Sequence, residues 1–150
     1  MELKEIIKEA VIIDEETTFR AALTTMIKQQ TNSLLVVGAD GTLVGEVSVS
    51  DLMDAVVPDY LDGDTIAENF ATEAEFKKAV LAAGDKEVSS FMSVETDPIH
   101  ITDDLITVAA TAIAERRARL PVVDEKERPV GIISRRELKE MLASFLGIHP

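Results

Sequence analysis

Apolar and polar positions change period in a fixed order along this chain, and the order occurs twice. "AVII" at residues 10–13 is a short apolar run of the kind an extended segment makes. In "TTFRAALTTMIKQQ", Phe19, Leu23, Met26 and Ile27 stand at i, i+4, i+7 and i+8, the spacing of one helix face. "LLVV" and "LVGEVSV" then predict a hairpin joined by "GADGT", where Asp40-Gly41 is a turn signal. A second helix is predicted from Asp51 to Val57, broken by Pro58.

The second pass runs "PIHI", then "LITVAATAIAERRA" with Ile106, Ala109, Ala110 and Ile113 on one side. "LPVV" and "PVGII" follow, joined by "DEKER", which keeps the loop length without a glycine. Pro121 is expected at an edge or first strand position, where its missing donor costs nothing. A helix from Arg135 to Leu146 closes the pattern, with Gly147 as its stop.

The two passes are an internal repeat. Gly45 and Gly131 lie 86 positions apart (131 minus 45), and that offset runs without a gap from Ile13 to Leu52. It places Ile13 on Ile99, Leu34 on Leu120, Ser48 on Ser134 and Leu52 on Leu138. The expected organisation is a first repeat over residues 1–57, a helical linker over 58–90 and a second repeat over 91–150. Within the linker, "TIAENFA" and "EAEFKKAVLAAG" read as two short helices, the latter stopped by Gly84. Phe70, Phe76, Val80 and Leu81 would pack on the repeats, while Asp59, Asp62, Asp64, Glu68, Glu73 and Glu75 would form a solvated face.

Composition narrows the function classes. The chain has 150 residues, 46% apolar and 29% charged, which fits a globular protein. Aromatic residues are only 4%, so Val, Ile, Leu and Ala must fill the core. With no cysteine, disulfides, thiolate zinc sites and thiol catalysis are excluded. No run approaches ~18 uninterrupted apolar residues, and "MELKEIIKEA" lacks the apolar stretch of a signal peptide, so a cytoplasmic protein without a membrane span is expected. A net charge of −13 argues against a nucleic-acid partner, because a polyanion would be repelled over most of the surface. A single nucleotide sees only a local site and is not excluded. His100 and His149 share no constellation, and no Ser-His-Asp set, metal spacing or Gly-rich phosphate loop is present, so no catalytic or metal-ligating residue is assigned.

The repeated candidate chemistry is Ser48-x-x-Asp51 and Ser134-x-x-Glu137, each at a strand-to-helix junction. One reading is a capping box, in which the Ser oxygen accepts a helix N–H and the acid reaches back to the cap N–H. The other uses the same helix end for a ligand. Unpaired N–H groups and the macrodipole favour an anion there, while the acid would accept from a ribose diol. Local sequence leaves both open. Asp51 suits the diol better than Glu137, which is one methylene longer. Arg135 and Arg136 lie inside the second motif, with Arg116, Arg117 and Arg119 upstream, and this basic cluster is either a set of helix-end charges or a phosphate clamp. The acids Asp14, Glu15, Glu16, Asp103 and Asp104 read as helix-start charges, with Mg2+ binding the lesser alternative.

"SLLVVGADGTLVGEVSVSDL" and "RLPVVDEKERPVGIISRREL", each preceded by an extended segment and a helix, resemble the cystathionine-β-synthase (CBS) domain pair, or Bateman module. The resemblance runs from about Ile13 to about Leu142. It implies an α/β (α+β) fold of tandem β-α-β-β-α repeats packed by their sheets about a pseudo-twofold axis, with clefts between the repeats. It also implies a regulatory module, not an enzyme, that binds an adenosine-containing nucleotide such as AMP, ADP, ATP or S-adenosylmethionine. The motif residues Ser48, Asp51, Ser134 and Glu137 would contact ribose or phosphate, with Thr96, Asp97 and Thr102 along the cleft-lining segment. Glu137 departs from the family's Asp. Homodimers are common among such modules, and a separate effector protein would be regulated in trans. The alternatives are a ligand-free dimerisation or scaffolding module, or one responsive to Mg2+.

Overall fold

The computed structural model describes residues 2–57, 73–115 and 119–148. Two three-stranded sheets carry the repeat. The first is ordered β1 (Ile12–Asp14), β2 (Ser33–Val37), β3 (Leu43–Ser48), with helices α1 (Phe19–Gln29) and α2 (Val49–Val56). The second is ordered β4 (Ile99–His100), β5 (Arg119–Val123), β6 (Pro129–Ser134), with α4 (Leu105–Glu115) and α5 (Arg135–Phe145). Helix α3 (Glu73–Ala83) lies between the repeats in sequence and packs on α2. The fold is α+β, as the tandem pattern implies.

The central strands β2 and β5 are buried at successive positions, so both faces of each sheet are covered there. The helices bury a stripe that matches the expected one only in part, at Phe19 and Met26 of α1. In α1 the buried residues are Phe19, Ala22 and Met26, while Leu23 is exposed and Ile27 is 69% exposed. In α4 Val108 is buried, flanked by half-buried Leu105 and Ala112, while Ile106 and Ile113 are 79% and 76% exposed. The inward set is therefore i, i+3, i+7 in both copies. Several apolar stripes fit each helix, and only the sheet beneath decides among them. Likewise Phe76 and Val80 of α3 turn inward but Leu81 does not.

Helix ends follow local chemistry. Thr18, not the acids at 14–16, caps α1, accepting from Ala21 N–H at 3.2 Å. Asp14 instead closes the preceding turn, accepting from Glu16 N–H. Asp104 opens α4 by accepting from Thr107 N–H at 2.9 Å. Val57 is extended after α2, as a residue before proline should be. Gly147, at φ +72°, ends α5, with Ile148 N–H reaching back to Ala143 O. The readings at Pro58, "TIAENFA", the acids at 59–68, Phe70, Arg116, Arg117 and His149 lie outside the described residues.

Pro121 is not on an edge, because β5 is the central strand. The first repeat explains how it is tolerated. Its cognate Leu35 donates its N–H to Val11 O. Proline has no such donor, and Asp97, the counterpart of Val11, turns away at φ +33°. Strand β4 then pairs only at Ile99↔Val122 and His100↔Val123, past the proline.

The compact units do not follow chain order. One comprises residues 11–36 and 45–94; the other comprises 1–10, 37–44 and 95–150. In the latter, residues 3–8 cross β6. Lys8 exchanges both backbone hydrogen bonds with Ile132, each 2.9 Å, and Leu3 and Ile6 enter the core with Ile99, Val108 and Leu120. In the former, residues 88–93 do the same across β3, with Ser93 and Glu46 exchanging bonds of 2.9 Å. The motif glycines serve these crossings. A Cβ on Gly131 would lie 2.6 Å from Lys8 O, and one on Gly45 would lie 2.6 Å from Met92 Sδ.

Candidate functional site

The first motif is a built helix start. Ser48 is extended, and its Oγ accepts from Asp51 N–H at 3.3 Å. Asp51 Oδ2 accepts from Ser48 N–H at 2.8 Å and from Ser48 Oγ–H at 3.1 Å. The capping box contributes about 1 kcal/mol to helix stability. It does not use the whole carboxylate. Oδ1 points to the crossing segment and accepts from Ser93 Oγ–H at 3.0 Å. Nothing in the motif spacing announces Ser93. Extending the repeat with a one-residue slip, which aligns Ser93 with Lys8, is the signal that finds it.

The second motif keeps the back-reach. Ser134 N–H and Oγ–H both donate to Glu137 Oε1, at 2.9 and 2.6 Å. The longer side chain is tucked in, and Glu137 is only 5% exposed. A cleft of about 270 Å³ lies beside it, lined by Ile6, Ile7, Lys8, Arg136 and Glu140 among others.

The sequence-predicted site residues sort as follows. Ser48 and Asp51 belong to one compact unit, with Ser93; Thr96, Asp97, Arg119, Ser134, Arg135, Arg136 and Glu137 belong to the other. Arg119 stands opposite Ser134 in the β5–β6 register. Arg135 and Arg136 are on the exposed face of α5, and Arg136 Nε is 3.2 Å from Glu140 Oε1. Such an exposed i,i+4 pair contributes a few tenths of a kcal/mol. Thr96 is half-buried and Asp97 exposed, where the chain turns into β4. Thr102 is exposed ahead of α4.

Electrostatic perturbation is found elsewhere, at the hairpin tips and at β4 and the start of α4. His100 Nε2 lies 2.9 Å from Glu127 Oε1, and that bond raises the His100 pKa above its ordinary 6.5. Hydrogen bonds from Thr42, Thr107 and Arg128 lower the pKa values of Asp40, Asp104 and Asp124 respectively. Among the described residues no group of three or more His, Cys, Asp or Glu could hold a metal ion. None of their helices is long and apolar enough to cross a membrane.

Known proteins place this geometry. The chain is 20% identical to CBSX2, solved in complex with AMP, with a TM-score of 0.70 and coverage of 96% of this chain and 97% of that one. A CBS domain-containing protein from Kribbella flavida gives a TM-score of 0.78 at 18% identity, covering 96% and 99%. The CBS domain pair of protein MJ0100, solved with 5′-methylthioadenosine and S-adenosyl-L-methionine, gives 0.67 at 20%, covering 95% and 99%. At such identities these likenesses show the fold. A homoserine O-acetyltransferase from Methanosphaerula palustris is 27% identical over 132 residues, 87% of this chain but 22% of that protein. The chain therefore spans less than a quarter of that relative's length. The family model for the CBS domain matches twice, over residues 3–58 and 88–144, and both matches take in the crossing segments that the compact units exchange. With two matched domains, two like sheets and two like helix starts, the chain belongs to the CBS domain family as a tandem pair.

Proposed function

We propose that this CBS pair is a regulatory module that binds an adenosine-containing nucleotide at the α2 helix start and acts on a separate effector protein in the cytoplasm. The observation that carries the reading is Asp51. Its carboxylate is fixed by the cap at Oδ2 and holds Oδ1 half-buried toward Ser93. A fixed carboxylate with acceptor capacity to spare suits a ribose hydroxyl, which donates a charge-assisted bond. The AMP complex of CBSX2 and the nucleoside complexes of the MJ0100 pair support the choice of ligand class. Ser48 would contribute to the same site. In the second repeat Ser134 and Glu137, with Arg119, Arg135, Arg136, Thr96 and Asp97, would form a weaker counterpart, since Glu137 is buried in its own cap. The ligand would act by binding one arrangement of the protein better than another and so raising its population. Isothermal calorimetry with AMP, ADP, ATP and S-adenosylmethionine tests this. Saturable heat with at least one of them is expected. No heat and no thermal shift at millimolar ligand would overturn it.

A second reading, ligand-free homodimerisation, is favoured by the exposed apolar residues Leu142, Phe145 and Leu146 at the end of α5. Light scattering that finds a dimer, with no nucleotide response, would support it over the first.

A further inference from the structure

We infer that Ser93 is a built-in competitor for the nucleotide ribose at Asp51, so that its hydroxyl must swing off the carboxylate before the ligand binds through both hydroxyls. The inference rests on the nucleotide-binding reading above and specifies how that site is regulated.

An ionised carboxylate offers about four lone-pair sites, two on each oxygen. Asp51 Oδ2 already accepts twice, from Ser48 N–H and Ser48 Oγ–H. Oδ1 accepts once, from Ser93 Oγ–H. One site is left. A single hydroxyl can take it without disturbing the protein. A 2′,3′-diol needs two. At Oδ2 the Ser48 N–H is fixed by the start of α2, and the Ser48 hydroxyl is held beside it by Asp51 N–H. Ser93 can yield by rotating one side-chain torsion, since its backbone is held independently by Glu46.

The position of Ser93 gives the exchange a consequence. It is near the end of the 88–93 crossing, two residues before Glu95, where the chain passes into the other compact unit. Met92 beside it packs against Gly45, within the same strand that leads to Ser48. Replacing the Ser93 hydroxyl by a ribose hydroxyl therefore removes the side-chain bond near that passage, while the two backbone bonds to Glu46 remain. In the second repeat the crossing carries Lys8 at the corresponding place, a side chain without a hydroxyl.

The test compares AMP with 2′-deoxy-AMP on the wild type, Ser93→Ala and Ser93→Thr by calorimetry. In wild type the diol must displace Ser93, exchanging one hydrogen bond to a charged group for another. Ser93→Ala should therefore tighten AMP by about three- to tenfold. It should leave 2′-deoxy-AMP, which fits the free site, within about twofold. Ser93→Thr keeps the hydroxyl and should behave as wild type, and thermal melts of all three report folding. Equal tightening of both ligands, or no tightening of AMP, would overturn the competitor role while leaving the binding site in place. If no variant binds AMP, or if Asp51→Ala binds it as well as wild type does, the nucleotide reading itself falls, and the competitor role with it.

Discussion

Gly131→Ala tests whether the exchanged segments hold this fold together. The added methyl would lie 2.6 Å from Lys8 O and would overlap Ile7 Cγ2. A side chain can rotate away, but a backbone carbonyl cannot, so residues 3–8 must shift as a unit. If they stay, overpacking costs about 1–3 kcal/mol. If they leave, the two Lys8–Ile132 bonds go, about 1 kcal/mol each. Leaving also uncovers Leu3 and Ile6, about 1.5–3 kcal/mol each before the released chain entropy offsets part of it. The cheaper course sets the result, and a loss of about 2–3 kcal/mol is expected. Gly45→Ala should cost less, about 1–2 kcal/mol, because its shortest contact is the flexible Met92 thioether, with Ser93 O at 2.9 Å behind it. Urea denaturation of both variants gives the numbers, and limited proteolysis should show cleavage within residues 1–10 of Gly131→Ala first. A loss below about 0.5 kcal/mol, or Gly45→Ala being the worse of the two, would refute the reasoning.

Glu127 holds the left-handed turn position, φ +61°, that Gly41 fills in the first repeat. Glu127→Gly should stabilise by several tenths to about 1 kcal/mol in thermal melts, net of the lost His100 pair. His100, with its pKa raised by Glu127, should titrate above 6.5 by NMR in wild type and fall toward that value in Glu127→Gln. The sign follows from linkage: the pair's contribution is fully present below the unfolded pKa and is lost as pH rises through the raised folded one, and unchanged titration in Glu127→Gln would contradict the pairing. Asp51→Ala should lose about 1 kcal/mol of stability as a cap and also lose AMP affinity, whereas Glu137→Ala should show the larger stability loss and the smaller binding effect.

The repeat was legible because both copies keep period, order and loop length; Ser48 and Ser134 fall at the two helix starts as their spacing required. Turn chemistry was legible for the same local reasons at Asp40-Gly41 and Gly147. What sequence missed is non-local. The α1 stripe had two solutions, and the sheet selected Phe19-Ala22-Met26 over the one with Leu23 and Ile27. Pro121 looked like an edge residue because a central strand needs donors on both sides; β4 starts too late to ask for one. The crossing segments "LKEII" and "VSSFM" carry no period of their own, so the sequence does not mark Leu3, Ile6 and Val88 as the buried residues they are.

The crossings also explain why like motifs need not act alike. Both boxes cap a helix, and a cap satisfies itself with one carboxylate oxygen. What becomes of the other is set by the strand that crosses above, not by the motif. Over Asp51 that strand brings Ser93, a neutral donor that a ligand hydroxyl can replace bond for bond. Over the second box it brings Lys8, and the acid there is longer and buried in its own cap. A glycine at each crossing lets the strand approach closely, and under the proposal above the side chain at that single position would tune each site independently of the box beneath it. Exchanging the two residues, with Ser93→Lys and Lys8→Ser in one protein, should then weaken AMP binding at Asp51 more than Ser93→Ala changes it, because a lysine ammonium there holds the carboxylate by charge. AMP affinity equal to that of Ser93→Ala would show that the crossing residue does not control the acid.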